Sequence, residues 1–177
     1  MAGRHGGAPG DAYAMNNDSE MPGHRAPAMW PLTERPGFLM RRLHQIHVSL
    51  FAERCGGFRI TPLQYSLLSV LKERGDADQT TLANAVALDR TTTTGALKRL
   101  EARGFIDRAP SPIDRRSQQC RLTPAGRDLL SGMEDAARQA HEATMAALSA
   151  EEQSALVRLM KKITAAHGQR QGTMDLL

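Results

Sequence analysis

Between Asp89 and Arg99 the chain reads DRTTTTGALKR, which sets hydroxyls, guanidiniums and an ammonium close together around one glycine. On one face of a helix, Arg90, Thr91, Thr92, Thr94 and Lys98 could hydrogen-bond phosphate oxygens and base edges. Threonine methyls there could also touch thymine methyls, and Gly95 leaves room for a backbone to come close. Four β-branched residues in succession are a poor choice for helix stability, because their rotamers are restricted against the preceding turn. The competing reading is a tolerated run of surface threonines.

Two further groups of residues carry candidate chemistry. The segment 109–117, APSPIDRRS, places Asp114, Arg115 and Arg116 in a proline-stiffened loop that follows Arg108. Adjacent guanidiniums on an extended tip suit a phosphate track or a narrow minor groove. Nearer the N-terminus, Met40, His44, His47 and Phe51 form a stripe at helical spacing, with Phe38 and, in the following segment, Tyr65 as further flat apolar walls. Two readings of these histidines stand. They donate hydrogen bonds to a planar anion held between flat apolar walls, or they cap backbone groups and face solvent at a seam between subunits. A metal reading of His44 and His47 lacks further ligands at helical spacing.

The elements that must position these groups can be read from periodicity. Asp89 is a plausible N-cap, and Thr93, Ala96, Leu97 and Leu100 form the buried stripe of the helix it starts. Arg103 and Gly104 end that helix, Gly104 suiting a left-handed cap. Phe105 to Arg108 and Gln118 to Leu122 alternate as two strands around the Arg-rich loop. A short helix from Thr80 to Ala87 precedes. The whole stretch reads as a winged helix-turn-helix with a two-strand wing.

Charge follows the same segment. From Arg90 to Arg127 nine Lys or Arg face three acids, a net of +6, whereas the whole chain carries only +4. A positive field this local is the footprint of a duplex-binding face.

Long helices flank this lobe. The first runs from about Gly37 to Arg54, with Leu39, Leu43, Ile46 and Leu50 as one apolar stripe. Thr61-Pro62 starts a mostly buried second helix. Thr123-Pro124 opens another that reaches about Leu148, and Ser149 to Glu152 form a capping box for the last. Leu156, Leu159, Met160 and Ile163 give that last helix its apolar face. The flanking helices hold more apolar surface than one small winged lobe can cover, which predicts a homodimer. Division of the chain follows: an arm, 1–30; a first dimerisation helix, 31–60; the DNA-binding lobe, 61–123; and C-terminal dimerisation helices with a frayed tail from His167, 124–177. The arm is rich in Gly, Ala and Pro and without period, and Trp30 is expected to anchor it on the body.

Several classes are excluded. No apolar run approaches the roughly 20 residues that cross a bilayer, no secretory leader is recognisable, and a cytoplasmic location is expected. Cys55 and Cys120 are far apart without a CxxC pair, and read as inert thiols with no disulfide or zinc role. There is no Gly-rich phosphate loop, no nucleophile with a base and no carboxylate cluster, so neither an enzyme nor a cofactor is expected.

The segments TPLQYSLLSVL, TLANAVALDRTTTTGALKRLEARGFI and SPIDRRSQQCRLTPAGRDLL resemble the DNA-binding lobe of the MarR family of bacterial transcription regulators. The resemblance spans roughly residues 36–163. It implies a mainly α fold, dimerisation through the terminal helices and binding to an inverted-repeat operator in double-stranded DNA. It also implies that Asp114 orients Arg116 toward DNA. The first helix is similar to that of the branch controlling catabolism of benzoate, hydroxycinnamate and hydroxynicotinate-type acids. The expectation is therefore a repressor released by a small aromatic carboxylate bound near Phe38, His44, His47, Phe51 and Tyr65. The alternatives are a redox-sensing repressor acting through cysteine and an effector-free architectural DNA binder.

Overall fold

A computed structural model describes residues 30–111 and 117–174, with side chains to His167. Six helices and three short strands follow one another: α1 (Pro36–Cys55), α2 (Pro62–Arg74), β1 (Ala77–Asp78), α3 (Gln79–Ala85), α4 (Arg90–Ala102), β2 (Ile106–Pro110), β3 (Gln118–Leu122), α5 (Pro124–Met145) and α6 (Ala150–Met174). The mainly α winged helix-turn-helix expected from the pattern is the architecture observed. Its helix starts are chemically determined. Asp78 and Asp89 accept from the amides of Thr81 and Thr92 at 2.8 Å each, and Thr61 with Gln64 forms a reciprocal capping box at α2.

The sheet differs from expectation. It has three strands in the order β1-β3-β2, all antiparallel, with Cys120 of β3 paired to Ala77 on one side and Arg108 on the other. β1 is only two residues long, too short to show a period of two, and it exists because β3 offers it a free edge. Helix ends differ as well. α5 stops at Met145, where the Gln153 amide Nε2 donates to the carbonyls of Met145 and Leu148 at 3.3 and 3.0 Å. α6 continues through the segment expected to fray, as far as Met174, although Gly168 and Gly172 each cost a helix about 1 kcal/mol.

The core lies where α2, α4, α5 and the sheet meet. Leu67, Leu68, Leu71, Leu82, Leu97, Leu100, Ile106 and Met133 are its fully buried large side chains, and Phe51 and Cys55 bring in the end of α1. The junction from β3 into α5 is built from Leu122-Thr123-Pro124-Ala125-Gly126. The Thr123 hydroxyl donates to the Gly104 carbonyl at 2.7 Å and accepts from the Gly126 amide at 3.0 Å. The Thr123 amide meets the Phe105 carbonyl at 3.2 Å. A Cβ at Gly126 would overlap that carbonyl, so only glycine lets α5 start this close to the turn after α4.

The apolar stripe of α1 does not face this core. Leu39 and Ile46 are about half exposed, as is their neighbour Met40, while His47, Phe51 and Cys55 turn inward against α5. Leu159, Met160 and Ile163 of α6 are likewise exposed. Trp30 departs from its expected anchoring role. It is 54% exposed, and its carbonyl accepts from Arg35 Nε at 3.0 Å. The apolar residues it could have covered, Leu32 and Leu39, are themselves open to solvent.

Candidate nucleic-acid interface and effector recess

α4 is the more basic of the two features that could carry function. Its buried side is the predicted stripe, Thr93, Ala96, Leu97 and Leu100. Arg90, Thr91, Thr94, Gly95 and Lys98 line a shallow open recess of about 350 Å³ on the other side, with Thr92 and Arg99 exposed beside it. Accepting the Thr92 backbone amide holds the Asp89 carboxyl below its usual range. The Thr94 hydroxyl lies 3.2 Å from Gln79 Oε1, which ties α4 to α3. A Cβ at Gly95 would meet only Arg99 Nη1, at an ordinary 3.6 Å. The fold does not require glycine there. Nothing in the structure explains the Thr93 hydroxyl, which is buried without a hydrogen-bond partner.

Arg108 is placed differently from the other expected DNA contacts. Its side chain is only 10% exposed, and Nη1 donates to Glu101 Oε2 at 3.1 Å. The guanidinium braces the root of the wing against α4 and is not offered to solvent. Sequence gave no signal for this, since Glu101 reads as one more surface acid. Asp114, Arg115 and Arg116 lie outside the described residues.

A second recess lies between α1, α2 and α5. It measures about 260 Å³ and is lined by His47 and Phe51 of α1, Tyr65, Ser69 and Glu73 of α2, and His141 of α5, among others. Phe51 and Tyr65 tilt against each other with ring centroids 5.6 Å apart. His47 and His141 stack at 4.7 Å with their planes 22° apart. His47, Phe51 and Tyr65 are thus brought together, whereas Phe38 and His44 do not line the recess. His141 escaped the sequence reading, because a histidine beside Ala140 on a long helix looks like any exposed one.

Hydrogen bonding favours one neutral tautomer of His47. The Thr144 hydroxyl spends its only proton on the Ala140 carbonyl at 2.7 Å. At 3.0 Å from His47 Nδ1 it can therefore only accept, and the neutral ring carries its proton on Nδ1 with a lone pair at Nε2. Burial, followed by the proximity of His141 and His44, lowers the His47 pKa, favouring that neutral form. Burial raises Tyr65, which keeps its phenol a donor.

Both cysteines are fully buried and free, and desolvation raises both thiols. A redox sensor needs an accessible thiol of lowered pKa, so neither residue has the required setting.

A basic helix presented by a winged lobe, on a body with exposed apolar helix faces, defines a DNA-binding regulator. Residues 60–118 match the model of the MarR family. The chain is 34% identical over 134 residues to the HTH-type transcriptional repressor NicR of Pseudomonas putida, covering 76% of this chain and 85% of that protein. A structure of Bordetella bronchiseptica BpsR, described for regulation of its DNA binding by 6-hydroxynicotinic acid, superposes with a TM-score of 0.72 at 32% identity, covering 76% of this chain and 96% of that one. Streptomyces coelicolor PcaV in complex with its natural ligand gives a TM-score of 0.67 at 29% identity, covering 77% and 96%. The chain belongs to the MarR family and is a transcriptional regulator, not an enzyme. Regulators of this family act as dimers, which accounts for the apolar faces left open on α1 and α6.

Proposed function

We propose that this protein represses genes for degradation of an aromatic or heteroaromatic carboxylic acid and is released from its operator by that acid or a metabolite of it. The observation that carries the reading is the recess in which Phe51, Tyr65, His47 and His141 converge between the dimerisation helices and the DNA lobe. Its volume lies below the roughly 300–1,000 Å³ typical of drug-sized sites, which suits a single-ring ligand. Support also comes from NicR and from BpsR, whose DNA binding is described as regulated by 6-hydroxynicotinic acid.

In this reading Arg90, Thr91, Thr92, Thr94, Gly95 and Lys98 of each protomer enter a major groove of double-stranded DNA. Asp114, Arg115 and Arg116 of the wing follow the backbone or minor groove. Arg108 supports the wing instead of touching DNA. The dimer reads an inverted repeat whose half-site spacing is fixed, so a ligand that prefers a different head separation lowers affinity. The site of action is the cytoplasm.

The test is a pair of recess variants, His47→Gln and Tyr65→Ala, assayed for operator binding and for its loss on adding 6-hydroxynicotinate, 4-hydroxybenzoate and 4-hydroxycinnamate. The reading expects operator binding to persist while the response shifts to at least tenfold higher acid. Unchanged responses in both variants would remove the recess from the mechanism.

A further inference from the structure

The recess contains an electrostatic problem for the ligand class just proposed. Among the described residues no Lys or Arg lines it, and its one charged wall residue is the acid Glu73. The serine hydroxyls are spent locally: Ser69 donates to the Tyr65 carbonyl at 2.9 Å and Ser66 to the Pro62 carbonyl at 3.0 Å. The His47 Nδ1–H is spent on Thr144, so the neutral ring offers only the Nε2 lone pair. Lone pairs and a carboxylate repel. The phenol of Tyr65 is the remaining neutral donor besides His141, and a buried carboxylate requires either several donors or a countercharge.

We propose that an aromatic carboxylate enters this recess together with a proton from solvent, taken up by the stacked His47–His141 pair, so that its charge is met by an imidazolium made on binding. The step forms one N–H bond, at His47 Nε2 or on the facing ring, and converts a lone pair into a donor aimed at the carboxylate. The titratable and charged groups on the elements packed around the pair are these. Burial first, then His141 on α5 and His44 on α1, disfavour a charge on His47 while the recess holds no anion. Glu73 on α2 is an acid and supplies no cation to the recess. Glu134 on α5 lies 4.0 Å from Lys72 Nζ, and both side chains are exposed. Stacked rings can share one positive charge but resist two, so uptake stops near a single proton.

The inference rests on the effector reading above, and the two can fail separately. The experiment is isothermal titration calorimetry of the full-length protein with 6-hydroxynicotinate, 4-hydroxybenzoate and 4-hydroxycinnamate at about pH 7.5, in phosphate and in Tris, whose ionisation enthalpies differ widely. The variation of observed heat with buffer gives the protons exchanged. For an acid that binds, uptake on the order of one proton per site is expected, with affinity rising by up to about tenfold for each unit fall in pH. The neutral carboxamide of the same ring should bind without uptake, and His141→Gln and His47→Gln should each reduce the uptake seen with the acid. Binding of an acid with heat independent of buffer would overturn the proton coupling and leave the effector reading standing, as would full uptake in both variants. No binding by any of the acids would overturn both.

Discussion

Arg103, at the C-terminal end of the recognition helix α4, donates from Nη2 to the carbonyl of Phe58 at 3.0 Å. Nη1 reaches the neighbouring carbonyl of Arg59, and the guanidinium carbon sits 4.8 Å over the Phe105 ring. One side chain thus joins the DNA-reading helix to the junction between α1 and α2, the helices that wall the recess. Lysine cannot reproduce the planar fork.

Arg103→Lys and Arg103→Ala should each cost about 1–2 kcal/mol in urea unfolding. Because the bond links recess to recognition helix, both should also blunt effector release without changing effector affinity. A loss of stability with release intact would make Arg103 a structural brace alone.

Gly95 separates fold from recognition. Replacement by alanine meets only the Arg99 guanidinium at an ordinary distance. Gly95→Ala should therefore stabilise the protein, by up to about 1 kcal/mol from helix propensity. From the proposed groove contact, the same variant should bind operator at least tenfold more weakly, because the added methyl would stand between helix and DNA. Operator binding as tight as that of the native protein would show that α4 does not come close at this position.

Gly126 behaves oppositely. Its missing Cβ is what lets α5 start against the Phe105 carbonyl, so Gly126→Ala should destabilise by about 1–3 kcal/mol or more. Thermal unfolding gives the comparison, and a stability equal to that of the native chain would mean the junction can shift without cost.

The lowered His47 pKa makes stability depend on pH. Below about pH 6.5 the unfolded chain protonates this imidazole before the folded one does. Stability contributed by the neutral ring is present above that value and is lost as pH falls toward the folded pKa. His47→Gln should flatten this slope when urea midpoints are compared between about pH 7.5 and 5.5. Parallel curves for the two proteins would refute the assignment.

How far the sequence revealed all this depends on the range of each interaction. α4 was readable in full because its Asp89 cap and its stripe at 93, 96, 97 and 100 are both local signals. The LTPAG junction was visible as a pattern, yet its reason, the Phe105 carbonyl against Gly126, is a tertiary contact. β1 was hidden because two residues have no period. The Arg108–Glu101 pair and the His47–His141 stack were hidden for a different cause: each joins residues on separate elements whose types also suit open solvent. The placement of Phe38 and His44 outside the recess has the same origin, since helical spacing tells which residues share a face but not which part of it a neighbouring helix covers.

Repression of this kind requires operator binding that an aromatic acid can undo. Fluorescence anisotropy at one fixed salt, using promoter DNA beside the protein's own gene, measures this with and without 6-hydroxynicotinate, 4-hydroxybenzoate and 4-hydroxycinnamate. Sequence-preferring binding that at least one of these acids reverses is the predicted result. Tight binding that none of them disturbs would contradict it, leaving a DNA-binding regulator whose recess serves some other purpose.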